Sequence, residues 1–212
     1  MVLSYIGFLE DNVDIVLATR NKKKVEEISR ILSGMDINIL TLDDFISCPE
    51  VEEDKDTFEG NAVKKAVEIA KCANKIAVAD DSGLEVYALN RAPGVKSARY
   101  AGEKADDAAN IEKLLKEMEG IPDEKRGARF VCYIALAFPE GKVVIFTGSV
   151  EGRIASIPRG RMGFGYDPIF FPTGYDRTFA EMTPEEKDAL SHRGKALERL
   201  REYFKTRSAP LV

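Results

Sequence analysis

Residues 128–138, ARFVCYIALAF, constrain the fold more than any other stretch of this 212-residue chain. The run is apolar at odd and even positions alike, so an extended strand here has two faces to bury. Such a strand sits inside a sheet that is covered on both sides. Two shorter runs share this character, IVLA at 15–18 and IAVA at 76–79, and each lies beside a helical pattern. After the first come Val25, Ile28, Ile31 and Leu32 at helical spacing, ending near Gly34. Before the second come Ala62, Val63, Ala66, Ile69, Ala70 and Ala73, with Asp56 and Glu59 placed as a capping box.

The rest of the chain continues the alternation. Residues 36–42 read as a second strand and 43–56 as an acidic loop. IAVA is expected to stop at DDSG (80–83), with GLEVYAL as a separate strand and 90–105 as loop. Asp106 or Asp107 should cap a helix whose face is Ile111, Leu114, Leu115 and Met118, closed by Gly120 and Pro122. PEGK turns the central strand into VVIFTGSVEGRIA as an antiparallel hairpin. RGRMGFGYDPIFFPTGYD is too rich in Gly and Pro for regular structure. Thr183, Pro184 and Glu186 then open one last helix, with Leu190, Leu197, Leu200 and Phe204 on its buried face. The pattern predicts an α/β class with a mixed sheet and flanking helices. Residues 1–14 read as a short N-terminal extension to a single domain.

Charge and cysteine usage narrow the function. Thirty-one Lys and Arg against 36 Asp and Glu give a net charge of −5, which argues against a general nucleic-acid binder. No apolar run approaches membrane-spanning length, and the N-terminus lacks the basic start of a signal peptide. Cys48, Cys72 and Cys132 are odd in number and widely spaced, so they predict neither a disulfide framework nor a metal site, and they fit a reducing cytoplasm.

Five stretches carry chemistry. Thr19-Arg20-Asn21-Lys22-Lys23-Lys24 lies where a buried strand ends and a helix begins, the usual place for a ligand in an α/β sheet. Three lysines at a helix start oppose the helix dipole unless an anion sits there. Asn21 is a good N-cap. In Asp80-Asp81-Ser82-Gly83, adjacent carboxylates in an extended chain point to opposite sides. One therefore faces the cleft, where it can hold Mg²⁺ or take a proton, and the other is a structural acceptor. The acidic loop Glu50, Glu52, Glu53 and Asp54 can supply a second ligand. Asn61 and Lys65 share a helix face within reach of a phosphate. In GFGYDP (163–168), Gly163 and Gly165 let backbone approach a ligand, Phe164 and Tyr166 offer flat surfaces, and Asp167 is held extended before Pro168. Lys187 and Ser191-His192-Arg193 share a helix with Gly194, a residue that costs about 1 kcal/mol there relative to Ala and so points to close packing or a functional demand.

Jointly, LATRNKKKVEEI, DTFEGNAVKKA, ADDSGLEVYALNRAPGVKSARYAGE, GFGYDPIFF and EEKDALSHRGKAL resemble the non-canonical purine nucleoside triphosphate pyrophosphatases, the ITP/XTP pyrophosphatase family, over residues 14–204. The resemblance implies an elongated mixed β-sheet with flanking helices around a central nucleotide-binding cleft, in a cytoplasmic homodimer. It implies Mg²⁺-dependent hydrolysis between the α and β phosphates of ITP, dITP or XTP, releasing the monophosphate and pyrophosphate. It makes Thr19 to Lys24 the triphosphate loop, Asp81 the catalytic acid and a metal contact, and Ser82 a substrate contact. Glu53 becomes the other metal ligand and Lys65 a lysine near the phosphates. Phe164, Gly165, Tyr166, Asp167, Lys187, His192 and Arg193 become the base-recognition pocket. Two positions depart from the family pattern: Arg20 and Met162 stand where Gly is usual.

Two other readings stay open from the residues. One is a related pyrophosphatase acting on pyrimidine or modified triphosphates. The other is a nucleotide-sensing protein without turnover, against which the Asp-Asp-Ser motif and the acidic loop argue.

Overall fold

The computed structural model describes residues 13–103 and 106–208. Six strands form one sheet, β1 (Val13–Leu17), β2 (Ile37–Thr41), β3 (Ile76–Val86), β4 (Gly127–Ala137), β5 (Val143–Ile154) and β6 (Phe170–Pro172), in the order β2-β1-β3-β4-β5-β6. β1 runs parallel to β2 and β3, while β3, β4, β5 and β6 are antiparallel in turn. The expected α/β class and mixed sheet are both present. β1 starts at Val13, so two residues assigned to the N-terminal extension belong to the sheet; residues 1–12 lie outside the described residues.

Period-two alternation sorts the core. Ile15, Leu17, Val78, Cys132, Ile134 and Leu136 face α1 (Lys22–Ile31) and α5 (His192–Ser208), where Ile28, Leu32, Leu197 and Leu200 meet them. Val16, Ala18, Ala77, Ala79, Ala135 and Ala137 face α2 (Phe58–Ala73). The small alanines of the sheet meet Ala62, Ala66 and Ala70, so helix and sheet approach closely. A third cluster packs α3 (Asp107–Glu117) through Ile111 and Leu114, with Met118 at its C-cap, against the far ends of β3, β4 and β5. Full burial contributes about 1.5–3 kcal/mol for each large aliphatic side chain. Among the described residues no helix is long and apolar enough to cross a membrane.

Four local readings change. DDSG does not end a strand: β3 runs unbroken from Ile76 to Val86, paired with β4 from Ala77↔Ala137 to Val86↔Ala128. α2 is capped by Thr57, whose hydroxyl accepts the Gly60 N–H at 3.0 Å, rather than by Asp56. The last helix is two, α4 (Pro184–Leu190) and α5, because Ser191 turns extended and its Oγ then accepts the Gly194 N–H at 3.0 Å. Lys187 and Ser191 therefore do not share one helix. Cys48 and Cys72 form a disulfide across 24 residues, contrary to the expectation of unpaired thiols. The pairing is tertiary: it joins the acidic loop to the last turn of α2. Cys132 is free and buried.

Candidate active site

Because β3 stays extended through Asp80 and Asp81, the sheet separates their carboxyls. Asp80 faces α1 and α5. Its Oδ2 accepts from Arg193 Nη2 at 2.9 Å and Ser82 Oγ at 3.0 Å, and its Oδ1 lies 3.0 Å from Lys24 Nζ. Burial alone would raise this carboxyl, but Lys24, Arg193 and Lys65 outweigh it and hold it well below the usual range. Asp80 is therefore the structural acceptor of the pair. Asp81 faces α2. Its Oδ2 accepts from Asn61 Nδ2 at 3.0 Å and its Oδ1 from the Ser82 N–H at 3.0 Å. Burial pushes the Asp81 carboxyl up to about 6, against the Lys65 charge and with the help of Glu53.

The loop after β1 is built as its residues suggest. Asn21 caps α1, its Oδ1 accepting the Lys24 N–H at 3.2 Å, and the first turn holds no acid. Thr19 Oγ1 accepts the Asn21 N–H at 3.2 Å. Lys24 joins this loop to Asp80. Arg20 turns toward the acidic loop, donating to the Cys48 carbonyl at 3.4 Å with Asp43 at 3.6 Å. Lys23 pairs with Asp107 Oδ2 at 3.3 Å, which also accepts the Gly165 N–H at 2.9 Å. Lys22 is exposed and away from the cleft.

Lys65 is buried and bonds both Glu53 and the Asp80 carbonyl, the latter at 2.7 Å. Arg99 holds Glu53 from the other side, donating to its carbonyl at 3.1 Å. Glu53, rather than Glu50, is thus the acid fixed beside Asp81. Burial would raise it, and Lys65 pulls it below its ordinary value. These two carboxylates are hard oxygen donors, which fits a divalent cation of the Mg²⁺ type that takes its remaining ligands from water and phosphate. Among the described residues no group of three or more His, Cys, Asp or Glu is placed to cage a metal alone.

At the other end, Lys187 Nζ lies 2.7 Å from Asp167 Oδ2 and 3.1 Å from Glu27 Oε1. Asp167 accepts one ammonium proton and Glu27 is an ion-pair partner, so protons remain for a ligand. Asp167 Oδ2 also accepts the Phe164 N–H at 2.9 Å, which fixes the loop. A Cβ on Gly163 would overlap that carboxyl oxygen, and its φ is +75°. The Lys187 ammonium stands 4.8 Å from the Phe164 ring centre. Tyr166 is buried, with its hydroxyl on the Ser97 carbonyl at 2.9 Å, leaving Phe164 as the more open of the two rings. His192 stacks on Phe130 at 4.7 Å. Burial and the nearby Arg193 and Lys187 charges keep its imidazole neutral, well below its ordinary value. Its Nδ1 is buried with no hydrogen-bond partner among the described residues.

These groups line one cleft of ≈ 910 Å³, with Thr19, Asn21, Lys24, Glu53, Lys65 and Asp81 at one end and Phe164, Asp167, Lys187 and His192 at the other. The lysines of the first end suit an anion carried with a cation on Glu53 and Asp81, and the Phe164 ring at the second suits a flat heteroaromatic group. Met162, half-exposed, lines an adjoining recess of ≈ 290 Å³ rather than the cleft.

The Ham1 family pattern matches residues 15–203. The chain belongs to the Ham1 family. It is 50% identical over 196 residues to the dITP/XTP pyrophosphatase of Bacillus cereus, covering 92% of this chain and 96% of that one. It is 52% identical over 190 residues to the dITP/XTP pyrophosphatase of Geobacter sulfurreducens, covering 90% and 96%. Among solved structures, a HAM1 protein from Coxiella burnetii superposes with a TM-score of 0.84 at 45% identity, over 92% of this chain and 99% of that one.

Within this Ham1 chain, three site residues escape the motif reading. Glu27 is buried between Lys187 and Arg193. Its signal is a carboxylate one turn after Lys24 on the apolar side of α1. Arg99 and Asp107 act through loop contacts that no local pattern marks. Asn61, placed near phosphates by spacing, is fully buried and bonds Asp81 instead.

Proposed function

We propose that this chain hydrolyses non-canonical purine triphosphates, ITP, dITP and XTP, to the monophosphate and pyrophosphate. The observation that carries the reading is Asp81, a cleft carboxyl pushed up to about 6 beside the cationic end of a two-ended cleft. The relatives named dITP/XTP pyrophosphatase support it.

The triphosphate lies along the loop of Thr19 to Lys24, where the α1 dipole and Lys24 both favour an anion. Asp81 orients the attacking water and takes its proton, a contribution of about 10²–10⁴-fold. Glu53 and Asp81 would hold Mg²⁺, which would supply neutralisation of phosphate charge when bound. Lys65 keeps Glu53 and the β3 backbone in place. Phe164 stacks on the purine. Lys187, His192 and Arg193 read its 6-oxo edge, with Asp167 fixing the loop. Adenine offers an amino group at that edge, so buried donors face a donor, and a well-built site of this kind rejects an analogue by about 10⁴-fold.

We also infer a homodimer, one domain with two lobes around the cleft, acting on free nucleotides in the cytoplasm; the compartment rests on the family resemblance, since the Cys48–Cys72 bridge withdraws the cysteine argument for it. Incubation with ITP and Mg²⁺ should give IMP and pyrophosphate. Orthophosphate as the first product would overturn the cleavage position, and a panel showing preference for pyrimidine triphosphates would overturn the substrate class.

A further inference from the structure

Asn61 is fully buried on α2, and its side-chain amide serves two elements at once. Its Oδ1 accepts the Lys55 N–H at 2.9 Å. Its Nδ2 donates to Asp81 Oδ2 at 3.0 Å and lies 3.3 Å from the Lys55 carbonyl. A backbone N–H is answered only by an acceptor, so the amide cannot be flipped: its nitrogen must face Asp81. The other Asp81 oxygen takes the Ser82 N–H at 3.0 Å. One donor on each oxygen fixes the plane of the carboxylate. Each oxygen has two lone-pair directions, so these donors leave one on each untaken, and Asp81 lines the cleft.

Lys55 follows Glu53 by two residues, so the same amide also seats the segment that carries Glu53. One helical turn further along α2, Lys65 grips that segment again through Glu53. α2 thus acts as a ruler, with Asn61 setting Asp81 against the Glu53 segment and Lys65 setting Glu53 against β3.

We propose that Asn61 is a positioning residue for hydrolysis: its amide ties the Asp81 carboxylate to the Glu53 segment and sets the plane in which Asp81 meets the attacking water. This rests on the reading of Asp81 as the base. Orientation of this kind matters more to the transition state than to ground-state binding, because the triphosphate and purine are held by other residues.

Steady-state kinetics on Asn61→Ala and Asn61→Asp, with Asp81→Asn alongside, test the idea. Asn61→Ala removes both bonds. Asn61→Asp keeps the oxygen that anchors Lys55 and, assayed at pH 8.5, loses the donor to Asp81. Both variants should lose about 10–100-fold in kcat, the scale expected of a misplacement near 1 Å, while KM for ITP stays within about twofold. Should Asn61→Ala fail to fold, Asn61→Asp carries the test with its Lys55 anchor intact. A kcat within about twofold of the parent in Asn61→Asp, or a loss confined to KM, overturns the proposal. Near-normal turnover in Asp81→Asn overturns the base assignment and this inference with it. An inactive Asp81→Asn beside unaffected Asn61 variants overturns the role of Asn61 alone.

Discussion

Asp80 and Asp81 are consecutive in β3, yet their carboxyls lie on opposite faces of the sheet and answer to different helices. The same substitution should therefore fail in two different ways. Asp81→Asn should cut kcat by about 10²–10⁴-fold, the range of lost general base catalysis, with the melting point little changed. Asp80→Asn leaves Lys24 without its ion-pair partner and Arg193 with Glu27 alone, and breaking such a buried pair costs about 3–5 kcal/mol. Urea unfolding and ITP turnover on both variants separate the outcomes; equal stability losses would refute the division of labour.

His192 should make stability fall with acid, beginning near neutrality, while Asp81, pushed up to about 6, binds a proton in the folded chain first and offsets that fall below about pH 6. His192 has a folded value well below the ordinary 6.5, so below pH 6.5 the unfolded chain binds a proton that the folded chain does not. Its stability contribution is present above 6.5 and lost as pH falls, at about 1.4 kcal/mol per pH unit. Glu27, held below its ordinary 4.5 by Arg193 and Lys187 against burial, adds a loss of the same sign at lower pH. Urea midpoints at pH 7.5, 6.5 and 5.5 should fall more in the parent than in His192→Gln, and less in the parent than in Asp81→Asn, which lacks the offsetting carboxyl.

Much of this was legible because it is local. Asn21 as a cap and Thr183 with Glu186 as a capping box depend on residues three apart, and both form. The opposed directions of Asp80 and Asp81 follow from strand geometry. What was not legible depends on distant partners. DDSG has turn composition, but Arg193 and Lys24 compensate Asp80 from α5 and α1, so the strand continues. Ser191 breaks the last helix to place Arg193 under the sheet. The Cys48–Cys72 pair is set by the approach of a loop to a helix end, which no spacing encodes.

Gly194 tests that helix break. A Cβ there would overlap the Asp188 carbonyl oxygen at the end of α4. Gly194→Ala must push α4 from α5, and overpacking of this kind costs about 1–3 kcal/mol. Lys187 on α4 and His192 on α5 would separate, so KM for ITP should rise as well. A variant as stable as the parent, with native KM, would show that the two helices give way freely.

The disulfide makes a covalent prediction. Under denaturing, non-reducing conditions one thiol, Cys132, should titrate, and all three after reduction. Opening a cross-link over 24 residues should cost about 2–4 kcal/mol. Arg20 donates to the Cys48 carbonyl, so Cys72→Ser should also loosen the contact between the acidic loop and the loop proposed to hold the triphosphate and raise KM. Three thiols without reductant would show that the chain folds with the bridge open.

Lys187 is the sharpest test of base reading. Asp167 accepts one of its protons and Glu27 pairs with its charge, and on the proposed reading a remaining proton is the donor offered to a 6-oxo group. Lys187→Ala removes that donor but leaves Phe164 to stack on any purine. A hydrogen bond to a charged group is worth about 1.5–3 kcal/mol, so kcat/KM for ITP should fall about 10–100-fold. ATP never satisfied the donor, so its kcat/KM should hold or rise, and the ratio of the two is the quantity to measure. A fall shared equally by ITP and ATP would mean that Lys187 supports the pocket through Asp167 and Glu27 without reading the base.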